Sequence, residues 1–137
     1  MSGDEVEAAV RFFDEVRNKG NVDPTDRFLA ADFINHNTFD VRIVGPRDYG
    51  EAVTAYRAAF PDLHTTLEDV LVDGDRIVVR GTDQGTHRGE FMGYPASGRE
   101  VTTTWIEIFR MENGKAAEGW LESDSATLRS QLVAEPR

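Results

Sequence analysis

The sequence predicts an α+β domain, a curved antiparallel sheet packed by N-terminal helices around one apolar pocket. Three observations carry this. Apolar residues recur at helical spacing up to residue 60 and in a strand-like alternation beyond residue 62. Two dipeptides that favour tight hairpins, Asp73-Gly74 and Asn113-Gly114, divide the second half of the chain. The length of 137 residues suits one core, so residues 1–137 are read as a single domain.

The elements follow in order. Ser2 and Glu5 have the spacing of a capping box. Behind them Val6, Ala9, Val10, Phe13 and Val16 predict an amphipathic helix over residues 4–18, closed by Gly20-Asn21. Asp23 as N-cap and Pro24 at the first position open a short second helix carrying Phe28 and Leu29. Gly45-Pro46 opens a third, whose stripe is Tyr49, Ala52, Val53, Tyr56, Ala59 and Phe60, and Pro61 stops it. From Leu63 to Val72 alternate positions are apolar, and Asp73-Gly74 turns the chain into a strand over 76–84. The stretch 85–98, with four glycines and Pro95, reads as a short strand and a turn. A long strand rich in Thr, Ile and Trp covers 100–111, a last strand 115–123, and a terminal helix 125–133. Helices followed by hairpin-linked strands give helices on one face of a sheet, whose concave side can hold a small molecule.

Composition limits the function. Hydrophobic residues at 39% and charged residues at 29% suit a folded domain. The net charge of −10 opposes nucleic acid and anionic membrane surfaces as partners. An acidic surface whose only lysines are Lys19 and Lys115 fits a salt-rich cytoplasm and equally a GC-rich genome. No apolar run reaches membrane-spanning length, and the start Met1-Ser2-Gly3-Asp4-Glu5 lacks the features of a signal peptide. With no cysteine there is no disulfide, thiolate metal site or cysteine nucleophile, and the cytoplasm is the natural compartment. The three histidines are scattered without ligand spacing, so no metal is expected.

Several motifs resemble one family. They are Ala31-Asp32-Phe33-Ile34-Asn35-His36, Ala59-Phe60-Pro61-Asp62-Leu63 after Gly45-Pro46, and Gly85-Thr86-His87-Arg88-Gly89-Glu90-Phe91-Met92-Gly93. Phe109-Arg110 with Asn113-Gly114-Lys115, and the closing Trp120 and Asp124, complete the set. Together they resemble the SnoaL-like polyketide and ester cyclases of the NTF2-like superfamily over residues 6–132. The resemblance implies a conical fold, a homodimer, a small apolar or aromatic ligand, and an intramolecular aldol reaction without metal or organic cofactor. It places a histidine at the close of the second helix, here His36, and a general acid/base aspartate at Asp124. The sequence departs from the family where Gly81 follows Arg80 in place of an aromatic, and where Ala116-Ala117 replaces larger aliphatics. Both changes are expected to widen or reshape the pocket.

Proton abstraction beside a carbonyl needs a base poised near the working pH and a donor for the enolate oxygen. Asp124 has two readings. In an extended strand it shares a face with Trp120 and Glu122, an aromatic wall that would desolvate it; alternatively it N-caps the helix beginning Ser125-Ala126-Thr127. His36, with Asn37 beside it, reads as a pocket-rim partner for Asp124 or as a histidine satisfied by backbone at a helix end. His87, in a glycine-bounded stretch, reads as a ligand contact or as a solvated or structurally bonded loop residue. Arg80 either points inward, to a substrate carboxylate or Glu107, or forms an exposed cross-strand ion pair. Glu107 shares a face with Thr103, Trp105 and Phe109, apolar enough to be internal, which makes it a second candidate buried carboxylate. Tyr49, Tyr56, Phe13 and Phe60 read as core, with one tyrosine hydroxyl able to reach the cavity.

Three functions are compatible with these residues: an acid/base enzyme of the cyclase, isomerase, dehydratase or epoxide hydrolase kind, a non-catalytic small-molecule binder, and a dimeric interaction domain. A buried Asp124 facing a closed cavity with His36 nearby favours the first, a solvent-facing Asp124 capping a helix with no polar group in the cavity favours the second, and a filled core without a cavity leaves the third.

Overall fold

The computed structural model describes residues 2–133. Helix α1 (Ser2–Phe12) runs into a π-helical segment (Phe13–Asn18), and a short α2 (Thr25–Phe28) follows. Strand β1 (Leu29–Asn37), the two-residue β2 (Ile43–Val44) and α3 (Gly45–Ala59) complete the first half. The second half holds β3 (His64–Asp73), β4 (Arg76–Thr86), β5 (Glu100–Glu112), β6 (Lys115–Ser123) and α4 (Ser125–Val133). The six strands form one open sheet in the order β2-β1-β6-β5-β4-β3, curved so that its concave face carries the core beneath α1 and α3.

The expected helix–strand division holds from α3 onward, and both hairpin dipeptides lie at the turns predicted. Asn113 (φ 52°) and Gly114 (φ 80°) are both left-handed, which gives a tight turn the twist of its strands. The segment before α3 differs. The chain leaves α2 at Phe28 and becomes strand β1, which runs parallel to β6 while every other neighbouring pair of described strands is antiparallel. Its alternation is broken between Leu29 and Ile34, where the register to β6 shifts. That irregularity hides a strand from a period-two reading, and it corrects the expectation that His36 closes a helix.

The first helix buries a stripe at regular helical spacing, with different members from those expected. Ala9, Phe12, Phe13, Val16 and Arg17 are buried, while Val10 is exposed. A π-helical segment accommodates an extra residue per turn, and Lys19 N–H donates to Asp14 O at 3.0 Å across its end. Phe13, Val16 and Arg17 stand three and four residues apart and face inward together. The Ser2 side chain, and with it the expected capping box, lies outside the described residues. In α3 the helix start is tied by Asp48, whose Oδ2 accepts the Val44 N–H at 3.0 Å.

In β3 the register slips at Glu68, between the pairs Leu67–Gly81 and Asp69–Arg80. Thr65 and Leu67 face the core before the bulge, Val70 and Val72 after it, and Leu71 is exposed. The stretch after Thr86 forms a loop tied by His87 N–H to Arg99 O at 2.8 Å, and its expected short strand is reduced to one bridge, Phe91 with Tyr94.

Candidate functional site: a carboxyl group in an apolar cavity

Between the concave face of the sheet and α3 lies a cavity of about 390 Å³. Val53 and Tyr49 of α3, Phe39 and Val41 of the β1–β2 connection, and Phe91 and Met92 of the loop after β4 make it largely apolar. Alternation on the strands decides which polar groups enter. On β5 the inward residues are Val101, Thr103, Trp105, Glu107 and Phe109, and on β4 they include Ile77, Val79, Gly81 and Asp83.

Glu107 is 2% exposed. Its Oε2 accepts one hydrogen bond, from Asn35 Nδ2 at 2.8 Å, and among the described residues no donor reaches its other oxygen. Burial pushes its carboxyl up to about 7, against the opposing pull of the Arg17 charge and the Asn35 hydrogen bond. Asn35 is itself held: Asn37 Nδ2 donates to Asn35 Oδ1 at 3.0 Å and to Val41 O at 2.6 Å. Gly119 on β6 makes room for this group, since a Cβ there would lie 3.2 Å from Glu107 Oε2 and 3.1 Å from Phe33.

A second buried carboxylate, Asp83, organises the other end of the cavity. Arg17 Nη2 donates to its Oδ2 at 2.7 Å and Tyr56 OH to the same oxygen at 3.0 Å. Trp105 Nε1 and Thr65 Oγ1 donate to Oδ1 at 2.9 and 2.8 Å. The Arg17 guanidinium lies 5.5 Å from the ring centroids of both Tyr56 and Trp105. A buried charge survives when paired and fully hydrogen-bonded, and Asp83 meets that condition. Arg17 Nε and the Tyr49 hydroxyl do not: both are buried, and apart from their mutual attraction neither meets a hydrogen-bond partner among the described residues.

The SnoaL-like polyketide cyclase model matches residues 7–132. The chain belongs to this family. The aklanonic acid methyl ester cyclase DnrD of Streptomyces peucetius is 28% identical over 110 residues, covering 77% of this chain and 75% of the relative. TsrD of Streptomyces laurentii superposes with a TM-score of 0.85 at 30% identity, over 96% of both chains. A structure from Jannaschia sp. CCS1 assigned to the SnoaL-like polyketide cyclases gives 0.87 at 25% identity, covering 96% of this chain and 93% of that one. Family membership supports a polyketide cyclase-type function, and the fold is SnoaL- and NTF2-like.

In this SnoaL-like chain the structure brings together only some of the residues singled out from the sequence. Glu107, Trp105 and Asn37 line the cavity. His36 and Trp120 do not: strand alternation turns them to the outer face, where their rings stack at 5.7 Å and His36 Nε2 pairs with Glu118 at 2.7 Å. Arg76 covers the same Trp120 ring at 5.0 Å. The inward residues of β6 at the cavity are Leu121 and Ser123, so the expected face of Trp120, Glu122 and Asp124 is the outer one.

Asp124 is exposed, and its Oδ1 accepts the Thr127 N–H at 3.2 Å; it caps α4. Arg80 is exposed and pairs with Asp69 across the β3 bulge at 2.7 Å, well away from Glu107 on the opposite face. His87 is fully buried behind Phe60, with its Nδ1 bound to Ser97, and it lies outside the cavity lining. The two departures from the family pattern resolve differently. The space over Gly81 is filled by the Trp105 indole, and Ala116 packs into the core away from the cavity.

Sequence reasoning passed over Arg17, Asn35 and Asp83. Asp83 shares the parity of Ile77 and Val79, so alternation carried its signal, whereas Asn35 lies on the irregular β1, where alternation is broken. Arg17 stands four residues from Phe13, on the buried face of its helix, but its charge conceals an inward side chain. Among the described residues no group of three or more His, Asp or Glu side chains is placed to hold a metal ion.

Proposed function

We propose that this SnoaL-like domain is an enzyme performing general acid/base chemistry, without a cofactor, on a small and largely apolar carbonyl compound, with Glu107 as the base. The observation that carries this is a carboxyl group buried in an apolar cavity, pushed to about 7 and holding one oxygen free. Such a group is matched to proton transfer at neutral pH, whereas an exposed carboxylate is too weak a base there.

The chemistry follows from that match. Glu107 takes a proton from the carbon next to a substrate carbonyl. The C–H electron pair becomes the enolate C=C bond, and negative charge moves to the carbonyl oxygen. In a cyclase the enolate carbon then attacks a second carbonyl of the same molecule, forming the ring C–C bond, and the new alkoxide takes a proton back from Glu107. The Asn35–Asn37 pair fixes the carboxyl rotamer. The apolar wall excludes water and keeps the carboxyl desolvated. Trp105 and Phe91 offer flat faces to a planar, conjugated ligand.

The test is hydrogen–deuterium exchange at the methyl group of 2-acetonaphthone in D2O, followed by proton NMR. Wild type should exchange it faster than buffer, with a rate that rises through pH 7, and Glu107→Gln should lose the enhancement. Equal exchange in wild type and Glu107→Gln, with both still binding the ketone, would leave a ligand-binding domain without this chemistry.

A further inference from the structure

We infer that Arg17 Nε and the Tyr49 hydroxyl form the oxygen-binding end of the cavity, so that its ligand presents one acceptor oxygen, a ketone or its enolate, to that pair. The inference rests on the carbonyl-compound reading above but uses different residues. Arg17 is 8% and Tyr49 6% exposed, both line the cavity, and among the described residues Arg17 Nε and the Tyr49 hydroxyl have no partner beyond their attraction to each other. A buried donor with no partner costs more than a satisfied one contributes, so the pair is stable in the folded protein when something in the cavity accepts from it.

The surroundings specify what that is. Asp83 accepts from Arg17 Nη2 at 2.7 Å and does not take Nε. The guanidinium lies 5.5 Å from the ring centroids of Tyr56 and Trp105 and 5.9 Å from that of Phe13, which limits its freedom to turn away. Tyr49 is anchored by its ring against Phe12 at 5.3 Å. Desolvation pushes its hydroxyl up to about 12, partly opposed by the nearby Arg17, so it remains a proton donor at neutral pH. Two donors, one of them cationic, select an oxygen that carries or acquires negative charge, and they reject a cation or a second donor. Glu107, Arg17 and Tyr49 line the same cavity, so one ligand there can meet both base and oxygen site. In the enolisation step the charge leaving the C–H bond would arrive at the oxygen this pair holds.

The experiment compares 2-acetonaphthone with 2-ethylnaphthalene, matched in shape but lacking the oxygen. Binding is measured by tryptophan fluorescence quenching and the carbonyl stretch of bound ketone by infrared difference spectroscopy. Wild type should prefer the ketone by at least about tenfold, the worth of a charge-assisted hydrogen bond, and shift its carbonyl stretch to lower frequency. Tyr49→Phe should keep its affinity for 2-ethylnaphthalene, which reports an intact cavity, while the preference falls and part of the shift is lost. Arg17→Lys, which keeps a charge for Asp83 but no Nε, should behave alike. Glu107→Gln should retain both preference and shift while losing exchange, which separates this inference from the role of Glu107. An equal affinity of wild type for the two compounds, no binding of either, or an unchanged preference and stretch in Tyr49→Phe and Arg17→Lys overturns the assignment.

Discussion

Gly81 on β4 lies directly beneath the indole of Trp105 on β5: a Cβ at Gly81 would stand 2.6 Å from Trp105 Cε2. The two residues are paired in the ladder, so this contact follows from register. The absent side chain lets the indole lie flat over the strand and aim Nε1 at Asp83, 2.9 Å away. The Phe13 ring stacks on the same indole at 5.3 Å, so Gly81 indirectly seats the first helix.

Gly81→Ala should therefore displace the indole. Overpacking of this kind costs about 1–3 kcal/mol. Thermal unfolding should report a lower midpoint, and the Trp105 emission should change because its hydrogen bond to Asp83 is strained. An alanine accepted without either change would mean the indole has another seat.

Glu107 should make the protein less stable as pH rises. Its carboxyl sits at about 7 in the folded state against an ordinary value of 4.5. Between those two values the folded protein keeps a proton that the unfolded chain releases, so stability falls across that window and levels off above it. Glu107→Gln cannot titrate and still offers Asn35 an acceptor. Urea titrations should find it close to wild type near pH 4 and more stable above pH 7, by on the order of 3 kcal/mol. A pH-independent difference would contradict a raised carboxyl.

Asp83 is expected to be the most sensitive single position. It is 4% exposed and accepts from Arg17, Tyr56, Thr65 and Trp105. Asp83→Ala leaves the Arg17 charge buried and unpaired, at a cost of about 3–5 kcal/mol. Removing both charges should recover much of that: the double variant Arg17→Met with Asp83→Leu should unfold at higher urea than Asp83→Ala alone. If the double variant is the less stable of the two, the pair contributes more than its desolvation costs.

Asp124→Ala should behave as the loss of a helix cap. Its side chain accepts from Thr127 N–H at the start of α4, so the expected cost is about 1 kcal/mol. Exchange of 2-acetonaphthone should continue at close to the wild-type rate. A collapse of exchange with unchanged stability would instead return Asp124 to the chemistry.

Much of this arrangement is written in local pattern. The period change near residue 62, the hairpin dipeptides and the Gly45-Pro46 and Pro61 boundaries depend on backbone preferences that each residue carries by itself. The inward face of β5, Trp105 and Glu107 included, follows from alternation in an uninterrupted strand. Three matters belong to tertiary structure. The register shift in β1 turns Asn35 and Asn37 inward and His36 outward, because pairing with β6 and not the sequence of β1 sets its phase. Arg17 stands four residues from Phe13 on the buried face of the helix, and its charge is tolerated there because Asp83 of β4 accepts from it. The parity of β6 sends Trp120 and Asp124 to the outer face, because its ladder to β5 pairs Trp120 with Ile108, whose side chain also faces outward. Composition and spacing select the residues able to do acid/base chemistry; which of them meet in the cavity is decided by strand register and by the buried partner that β4 offers Arg17.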